Sequence, residues 1–318
     1  MNYTRRDLGK LALASIPAAT LLAKPNSKFG GVQLGINVPY SYKDMAMSAD
    51  EILSKTVELG VSAVELRSQP VEAFLGVPAE LIPKRAGRGQ LTPEQQAERK
   101  AAAEGLRKWR VSASMDKVKE FRRKYEDSGV LIEIVKFDGI DAMADDEVDY
   151  CFTMAKTLGA KAISCEIPLS RTERLGKFGE KHKMMIGYHG HANVTSPEAF
   201  GRPDSWERSM AFSRYNGINL DIGHFIAGNG FSPAEYIQKH HDRITHIHLK
   251  DRKKNNGPNV PWGQGDTPVK EILQLMQKEK YRFQATIEFE YPIPEGSDLM
   301  TELGKCVEYC KNVLSGKS

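Results

Sequence analysis

Eight short apolar runs, separated by helix-like or polar segments, constrain the fold of this 318-residue chain more than any other feature. Such alternation predicts parallel strands joined by crossover helices. The eight predicted strands are 32–37, 61–66, 130–135, 161–166, 184–189, 218–221, 244–249 and 285–289. No linker or change in composition separates them. The pattern therefore predicts an α/β fold with a single domain, a (β/α)8 TIM barrel whose strands all end at one shared mouth.

Helix signals support this alternation. Ser48, with Glu51 three residues later, forms a predicted capping box, and Ser232-Pro233-Ala234-Glu235 forms another. A long charged segment around residues 78–128 separates the second and third predicted strands, and we predict that it is a helical insertion. Connections of this length often cover an active site.

Composition excludes several classes of protein. Hydrophobic residues make up 40% of the chain, enough for a large core, and the 27% of charged residues argues against a membrane protein. The net charge of +4 comes largely from the segment of residues 84–124, where Lys and Arg are interleaved with Glu. This pattern is typical of a solvated helix face, so we expect no nucleic-acid partner. The four cysteines are expected to be buried thiols, although an oxidising compartment would permit one disulfide bond.

The N-terminus resembles an export signal. Residues 4–10, Thr-Arg-Arg-Asp-Leu-Gly-Lys, are similar to the twin-arginine motif, and an apolar stretch over 11–23 follows, interrupted by Pro17. A membrane-spanning helix needs about 20 apolar residues, so we expect no stable membrane anchor. We predict a signal segment over 1–27, a barrel over 28–318, and a periplasmic or otherwise exported protein. The alternative is that the apolar stretch forms an amphipathic helix of the mature protein.

Histidines and acidic residues lie near the ends of several predicted strands. Asp221 precedes His224 by three residues, and His246 and His248 fall on the same side of one strand. Glu288 follows in the last predicted strand. Any one of these is weak evidence, because an isolated buried histidine is more often a satisfied core residue. Three such groups at successive strand ends predict a site for a divalent metal.

The order of these motifs resembles the xylose isomerase-like barrel family. The matching motifs are Asp221-x-x-His224, His-x-His-Leu-Lys-Asp at 246–251, and Ile-Glu288. That superfamily includes sugar isomerases and epimerases, inositol-pathway dehydratases and the endonuclease IV type of DNA-repair enzyme. The resemblance covers most of the chain after the N-terminal segment. It implies a TIM barrel with one divalent ion (Mn, Mg, Co or Zn) held by Asp221, His248, Glu288 and a fourth ligand.

The fourth ligand departs from the family pattern. Relatives carry a glutamate at the end of the fifth strand, where this chain has His189 followed by His191. Either His189 replaces that glutamate, or Glu166 reaches the metal from the fourth strand. We favour Glu166 slightly, because it restores a carboxylate that neutralises the ion.

The resemblance also implies a mechanism. The metal polarises a carbonyl and a neighbouring hydroxyl oxygen of the sugar. Glu288 is the candidate base that removes the adjacent C–H proton, giving an enediolate. Glu166, His189 or His191 would return the proton, and His224 would hydrogen-bond a substrate oxygen.

Five further residues are candidates for substrate contact. Lys250 and Lys136, at strand ends, could stabilise a developing oxyanion. Trp262 lies in a Gly-x-Gly-Asp loop and could stack on a sugar. Asn37 and Glu65, at the ends of the first two strands, are weaker candidates. A surface role for the lysines and a structural role for the tryptophan are the alternatives.

We therefore predict a metal-dependent sugar isomerase or epimerase of carbohydrate metabolism with a small-molecule substrate and an oligomeric state left open. The first alternative is a lyase or hydratase acting on 3-keto sugars or 3-keto glycosides, since the same proton removal can expel a leaving group. The second is a non-catalytic periplasmic sugar-binding barrel, although such a barrel need not keep metal ligands. A DNA-repair endonuclease is disfavoured, because its metal site uses histidines from early strands and the first histidine here is His182.

Overall fold

The computed structural model describes residues 24–82 and 92–317 and shows a closed barrel of eight parallel strands. The strands are β1 Val32–Val38, β2 Ala63–Arg67, β3 Leu131–Lys136, β4 Ala162–Cys165, β5 Met185–His189, β6 Asn216–Asp221, β7 Ile244–Leu249 and β8 Gln284–Ile287. Each strand pairs with the next, and β8 closes the barrel against β1 in the register Leu34 to Ala285. A two-residue strand, Lys28–Phe29, pairs antiparallel with the start of β1. The predicted TIM barrel is confirmed.

The helices pack around this barrel. They are α1 Ala49–Glu58, α2 Ser68–Leu75, α3 Pro93–Ser112, α4 Met115–Asp127, α5 Asp145–Leu158, α6 Thr172–His182, α7 Pro203–Phe212, α8 Ile222–Asn229, α9 Ala234–His240, α10 Val269–Glu279 and α11 Leu299–Leu314. The capping box predicted at Ser48 is confirmed. The one predicted at Ser232 is wrong, because α9 begins after Pro233 without a side-chain cap. The Ser232 hydroxyl accepts the backbone N–H of Ala234 and donates to the Glu271 carboxylate of α10.

The helical insertion predicted around 78–128 contains α3 and α4, while residues 83–91 lie outside the described part of the chain. Arg110 anchors α3 to the neighbouring helices α2 and α5. Its guanidinium lies 2.8 Å from a carboxylate oxygen of Glu72 and 3.1 Å from one of Glu147, and all three side chains are largely buried.

Strand alternation separates an apolar shell from a polar barrel interior. In β7, Ile247 and Leu249 join the hydrophobic core, while His246 and His248 turn to the other face. Both of these histidines contact Glu65 of β2, which lies across the barrel. The prediction that the two histidines of β7 point inward is therefore confirmed.

All four cysteines lie in the described ranges, and each is a buried free thiol. Within those ranges, no helix is long and apolar enough to cross a membrane.

The predicted export motif and its apolar stretch, residues 4–23, lie outside the described residues. Ser27, which we assigned to the signal segment, is buried and donates to the Leu34 carbonyl over 2.7 Å.

Candidate functional site

Four potential metal ligands meet at the mouth of the barrel. His189 ends β5, Asp221 ends β6, His248 lies in β7, and Glu288 directly follows β8. The candidate ligand atoms of these four residues lie within 4.8 Å of one another, and all four side chains are buried. We call this set the central cluster. The structure thus brings together the three residues expected from the motifs and adds His189.

The orientation of His248 is well defined. Its Nδ1 lies 3.1 Å from Glu288 Oε2 and 3.9 Å from Asp221 Oδ2, whereas its Nε2 contacts Glu65. The His189 ring lies beside it, with ring centroids 4.7 Å apart. His189 Nδ1 is buried and has no hydrogen-bond partner among the described residues. A buried polar atom without a partner needs an explanation, and a role as a metal ligand supplies one.

Lys250 provides positive charge beside the central cluster. Its Nζ lies 2.9 Å from Asp221 Oδ2 and 2.6 Å from Glu288 Oε2. It also lies 2.6 Å from Glu290 Oε2. Burial alone would lower the pKa of Lys250, but these three carboxylates outweigh it and raise that pKa. The ammonium group therefore stays charged and balances the acidic side chains.

The protonation states of the cluster follow from burial and neighbouring charge. Burial opposes a charged His248, but the negative charges of Glu288 and Glu65 prevail and raise its pKa to about 10. Burial raises the pKa of Asp221 to about 6. Burial and the charge of His248 hold the pKa of His189 well below its ordinary value. His189 is therefore a neutral imidazole, whereas His248 must release a proton before it can bind a metal.

Glu166 lies outside the central cluster. One of its carboxylate oxygens contacts Lys136, whose side chain is almost fully buried, and the other is 3.2 Å from His191 Nε2. Burial would raise the pKa of Glu166, but the hydrogen bond with His191 and the charge of Lys136 lower it strongly. The favoured fourth ligand, Glu166, is thus not among the converging ligand atoms, whereas His189, the alternative left open, is. The physical reason is that buried Lys136 requires a counterion, and Glu166 supplies it.

His191 and His224 extend the site toward solvent. Ligand atoms of His189, His191 and His224 also lie within 4.8 Å of one another. The backbone N–H of His224 donates to Asp221 Oδ1 over 2.6 Å, because Asp221 caps α8. Its Nδ1 lies 2.5 Å from Arg252 Nη1 and its Nε2 lies 3.2 Å from Lys250 Nζ. Burial, followed by the charge of Lys250, lowers the pKa of His224, so this imidazole is neutral.

Two of the candidates for substrate contact, Asn37 and Trp262, contact other side chains. Asn37 Nδ2 donates to Glu288 Oε1 over 2.8 Å, so its amide orients the carboxylate. Trp262 packs its ring against Tyr309 of α11, with centroids 5.7 Å apart.

The loop that carries Trp262 is held by Asp251, at the end of the His-x-His-Leu-Lys-Asp motif. Asp251 Oδ2 accepts the N–H groups of Gly263 and Gly265, each over 2.8 Å. Its Oδ1 accepts that of Thr267 over 3.2 Å.

Glu65 and Glu290 have roles in the site that we did not predict from the sequence. Glu65 is fully buried beneath the two histidines of β7, where we had considered only a substrate contact. Glu290 pairs with Lys250 and accepts the Tyr40 hydroxyl over 2.6 Å. A glutamate in the middle of an apolar run was the available signal for Glu65.

Comparison with known proteins supports the same fold. Residues 166–305 match the family model described as xylose isomerase-like TIM barrel. The resemblance seen in the motifs is confirmed. No curated protein matches this chain. Among solved structures, the D-psicose 3-epimerase of Clostridium cellulolyticum, determined with D-tagatose, is 12% identical, with a TM-score of 0.61, over 89% of this chain and 99% of its own.

Two other similar structures carry different descriptions. A probable 3-DHS dehydratase of Bacillus anthracis, involved in petrobactin synthesis, is 14% identical, with a TM-score of 0.57, over 87% of this chain and 98% of its own. The IOLI protein, solved with a bound zinc atom, is 13% identical, with a TM-score of 0.59, over 90% of this chain and 99% of its own. At these identities the similarity establishes the fold alone, a TIM barrel.

Proposed function

We propose that the protein is a metal-dependent sugar isomerase or epimerase that removes a proton next to a carbonyl group. The single observation that carries this proposal is the central cluster, two imidazoles and two carboxylates buried together at the mouth of the barrel. Active sites of TIM barrels lie at this end of the strands. The epimerase among the similar structures supports a sugar substrate.

The donor set fits a divalent ion. His189, Asp221, His248 and Glu288 would hold it, and two nitrogen with two oxygen donors suit Zn, Mn or Co better than Mg. When bound, such an ion would supply Lewis-acid polarisation of the sugar carbonyl and the neighbouring hydroxyl. The two carboxylates match its charge, so a neutral His189 is tolerated as the fourth ligand where relatives carry a glutamate.

The side chains around the cluster supply the proton transfers. Glu288, held through Oε1 by Asn37, is the base that takes the proton from the carbon next to the carbonyl. Lys250 and neutral His224 lie beside it and would stabilise the negative charge that develops on the substrate oxygen. His191 and Glu166, which form a hydrogen-bonded pair at the solvent side, would return the proton.

A specific observation favours elimination or hydration of a 3-keto sugar or 3-keto glycoside as a second candidate. The fifth strand ends in imidazoles instead of a carboxylate, and the side chain of His191 is 49% exposed at the mouth. Its hydrogen bond with Glu166 raises the pKa of His191. A protonated imidazole in this position is suited to protonate a leaving group. The dehydratase among the similar structures is consistent with this alternative.

Incubation in deuterated water tests both candidates. The metal-loaded protein would be mixed with a panel of ketoses and 3-keto glycosides, with chelated protein and the Asp221→Asn variant as controls. Deuterium in the recovered sugar indicates isomerisation or epimerisation, and an unsaturated or hydrated product indicates elimination or hydration. Sugar binding without exchange or product would contradict catalysis and favour a binding barrel.

We also propose export by the twin-arginine route, on the basis of the motif at residues 4–10. Replacing Arg5 and Arg6 by lysine is expected to retain the full-length protein in the cytoplasm. Fractionation of cells that express the two forms measures this, and export of the double variant at the wild-type level would contradict it.

A further inference from the structure

We propose that Glu65 is a positioning residue that fixes the metal-binding tautomer of His248. This inference rests on the proposed function, because it concerns the same metal site. Glu65 lies in the middle of β2 and is fully buried, as are His246 and His248. The proposal also gives a role to His246, which is absent from the central cluster.

The hydrogen-bonding capacity of an imidazole decides which nitrogen of His248 can bind a metal. A neutral histidine has one nitrogen that donates and one that accepts, and an ionised carboxylate only accepts. Because Glu65 Oε2 contacts His248 Nε2, that nitrogen carries the hydrogen. In the neutral form that binds a metal, His248 Nδ1 is then the nitrogen with the free lone pair. It is also the nitrogen that faces Asp221 and Glu288, as a metal ligand must.

Without Glu65, a neighbouring amide would favour the opposite tautomer. Asn219 Nδ2 lies 3.4 Å from His248 Nε2 and can donate to that nitrogen once the carboxylate no longer accepts from it. His248 would then carry its hydrogen on Nδ1, and the lone pair would point away from the cluster. The short contact with Glu65 therefore selects between two tautomers that the pocket could otherwise accommodate.

His246 supports the same carboxylate. Its Nε2 lies 3.4 Å from Glu65 Oε2, and its Nδ1 lies 2.9 Å from the Thr245 hydroxyl. A buried carboxylate is costly unless polar groups surround it, and the two imidazoles of β7 do so from one side. In this assignment His248 binds the metal, and His246 lies beside Glu65 beneath it.

Zinc titration calorimetry on the full chain tests the proposal. Supporting partners of metal-bound histidines are typically worth 10- to 100-fold in metal affinity. We expect Glu65→Gln to weaken zinc binding by about that factor while the protein keeps its circular dichroism spectrum. The matched control is Glu133→Gln, since Glu133 is also a largely buried strand carboxylate but pairs with Lys161. This control is expected to bind zinc as the wild type does.

Nitrogen-15 NMR of the zinc-loaded wild type provides a reading that does not depend on the variant folding. We expect a hydrogen on Nε2 of His248, shifted downfield by the carboxylate. A hydrogen on Nδ1, or zinc affinity unchanged in a folded Glu65→Gln protein, would overturn the role of Glu65 alone. A wild-type protein that takes up no zinc would instead overturn the proposed function.

Discussion

At the scale of single residues, Lys250 has the largest predicted effect on stability. It is buried against Asp221, Glu288 and Glu290, and Lys250→Met would leave these carboxylates without their cation. Breaking a buried ion pair in this way typically costs about 3–5 kcal/mol. We expect a loss of this size in the free energy of unfolding of the chelated variant, measured by denaturant titration, and a larger gain on adding zinc than in the wild type.

An exposed ion pair provides the control for this prediction. Lys311 pairs with Glu308 across one helical turn and both side chains are about half exposed, so Lys311→Met is expected to cost less than about 1 kcal/mol. If zinc stabilised both variants equally, the positive charge of Lys250 would have no link to the metal site.

The sequence identified the site residues more reliably than the contacts that these residues make. Asp221, His248 and Glu288 followed from motifs, because strand alternation fixes which side chains face the interior. The choice between His189 and Glu166 depended on a third residue, Lys136, whose burial creates a demand for a counterion. Such a demand arises from packing between strands that are distant in sequence, so no local pattern could reveal it.

At the scale of elements, Asp251 ties the loop over 261–267 to the end of β7. Asp251→Asn replaces one acceptor oxygen by a donor that faces backbone N–H groups. Hydrogen bonds to a charged group are worth about 1.5–3 kcal/mol. We therefore expect the amides of Gly263 and Gly265 to exchange with solvent deuterium at least tenfold faster, as measured by NMR.

An aspartate that caps a helix elsewhere in the chain serves as the control. Asp298 accepts the backbone N–H of Thr301 at the start of α11, so Asp298→Asn should leave exchange in the 261–267 loop unchanged. Equal protection of Gly263 and Gly265 in the Asp251→Asn variant and the wild type would show that Asp251 does not hold the loop.

A second prediction at this scale concerns the docking of α3. Arg110→Met would leave Glu72 and Glu147 buried without their cation, again a change worth about 3–5 kcal/mol. We expect the insertion to become sensitive to proteolysis in the variant. Arg107→Met is the matched control, because Arg107 forms a partly exposed pair with Asp146 on the same helix. Equal cleavage of the two variants would contradict the anchoring role of Arg110.

The strands were easier to predict than the helices. Every predicted strand overlaps an observed one, because short apolar runs bounded by polar segments mark buried parallel strands. Helix α2 was missed, since it follows β2 without a gap and contains Pro70 in its first turn, where proline is tolerated. The Ser232 signal failed because Pro233 is the N-cap of α9, and the Ser232 hydroxyl accepts the N–H of Ala234 while it donates to Glu271.

At the scale of the whole molecule, the proposed metal couples to folding. An ion that binds only the folded chain stabilises it by about 2.7 kcal/mol at one hundred times its dissociation constant. For a domain of this size we expect a rise of roughly 5 °C in melting temperature on adding zinc to chelated protein. The Asp221→Asn variant should show a much smaller rise, and an equal rise would place the stabilising ion elsewhere.

The central claim, that four side chains from β5 to β8 bind a single ion, is tested most directly by an anomalous diffraction experiment on zinc-soaked crystals. We predict one strong peak at about 2.0–2.2 Å from ligand atoms of His189, Asp221, His248 and Glu288. The absence of a peak among these residues, or a peak bound only by His191 and His224, would contradict the account.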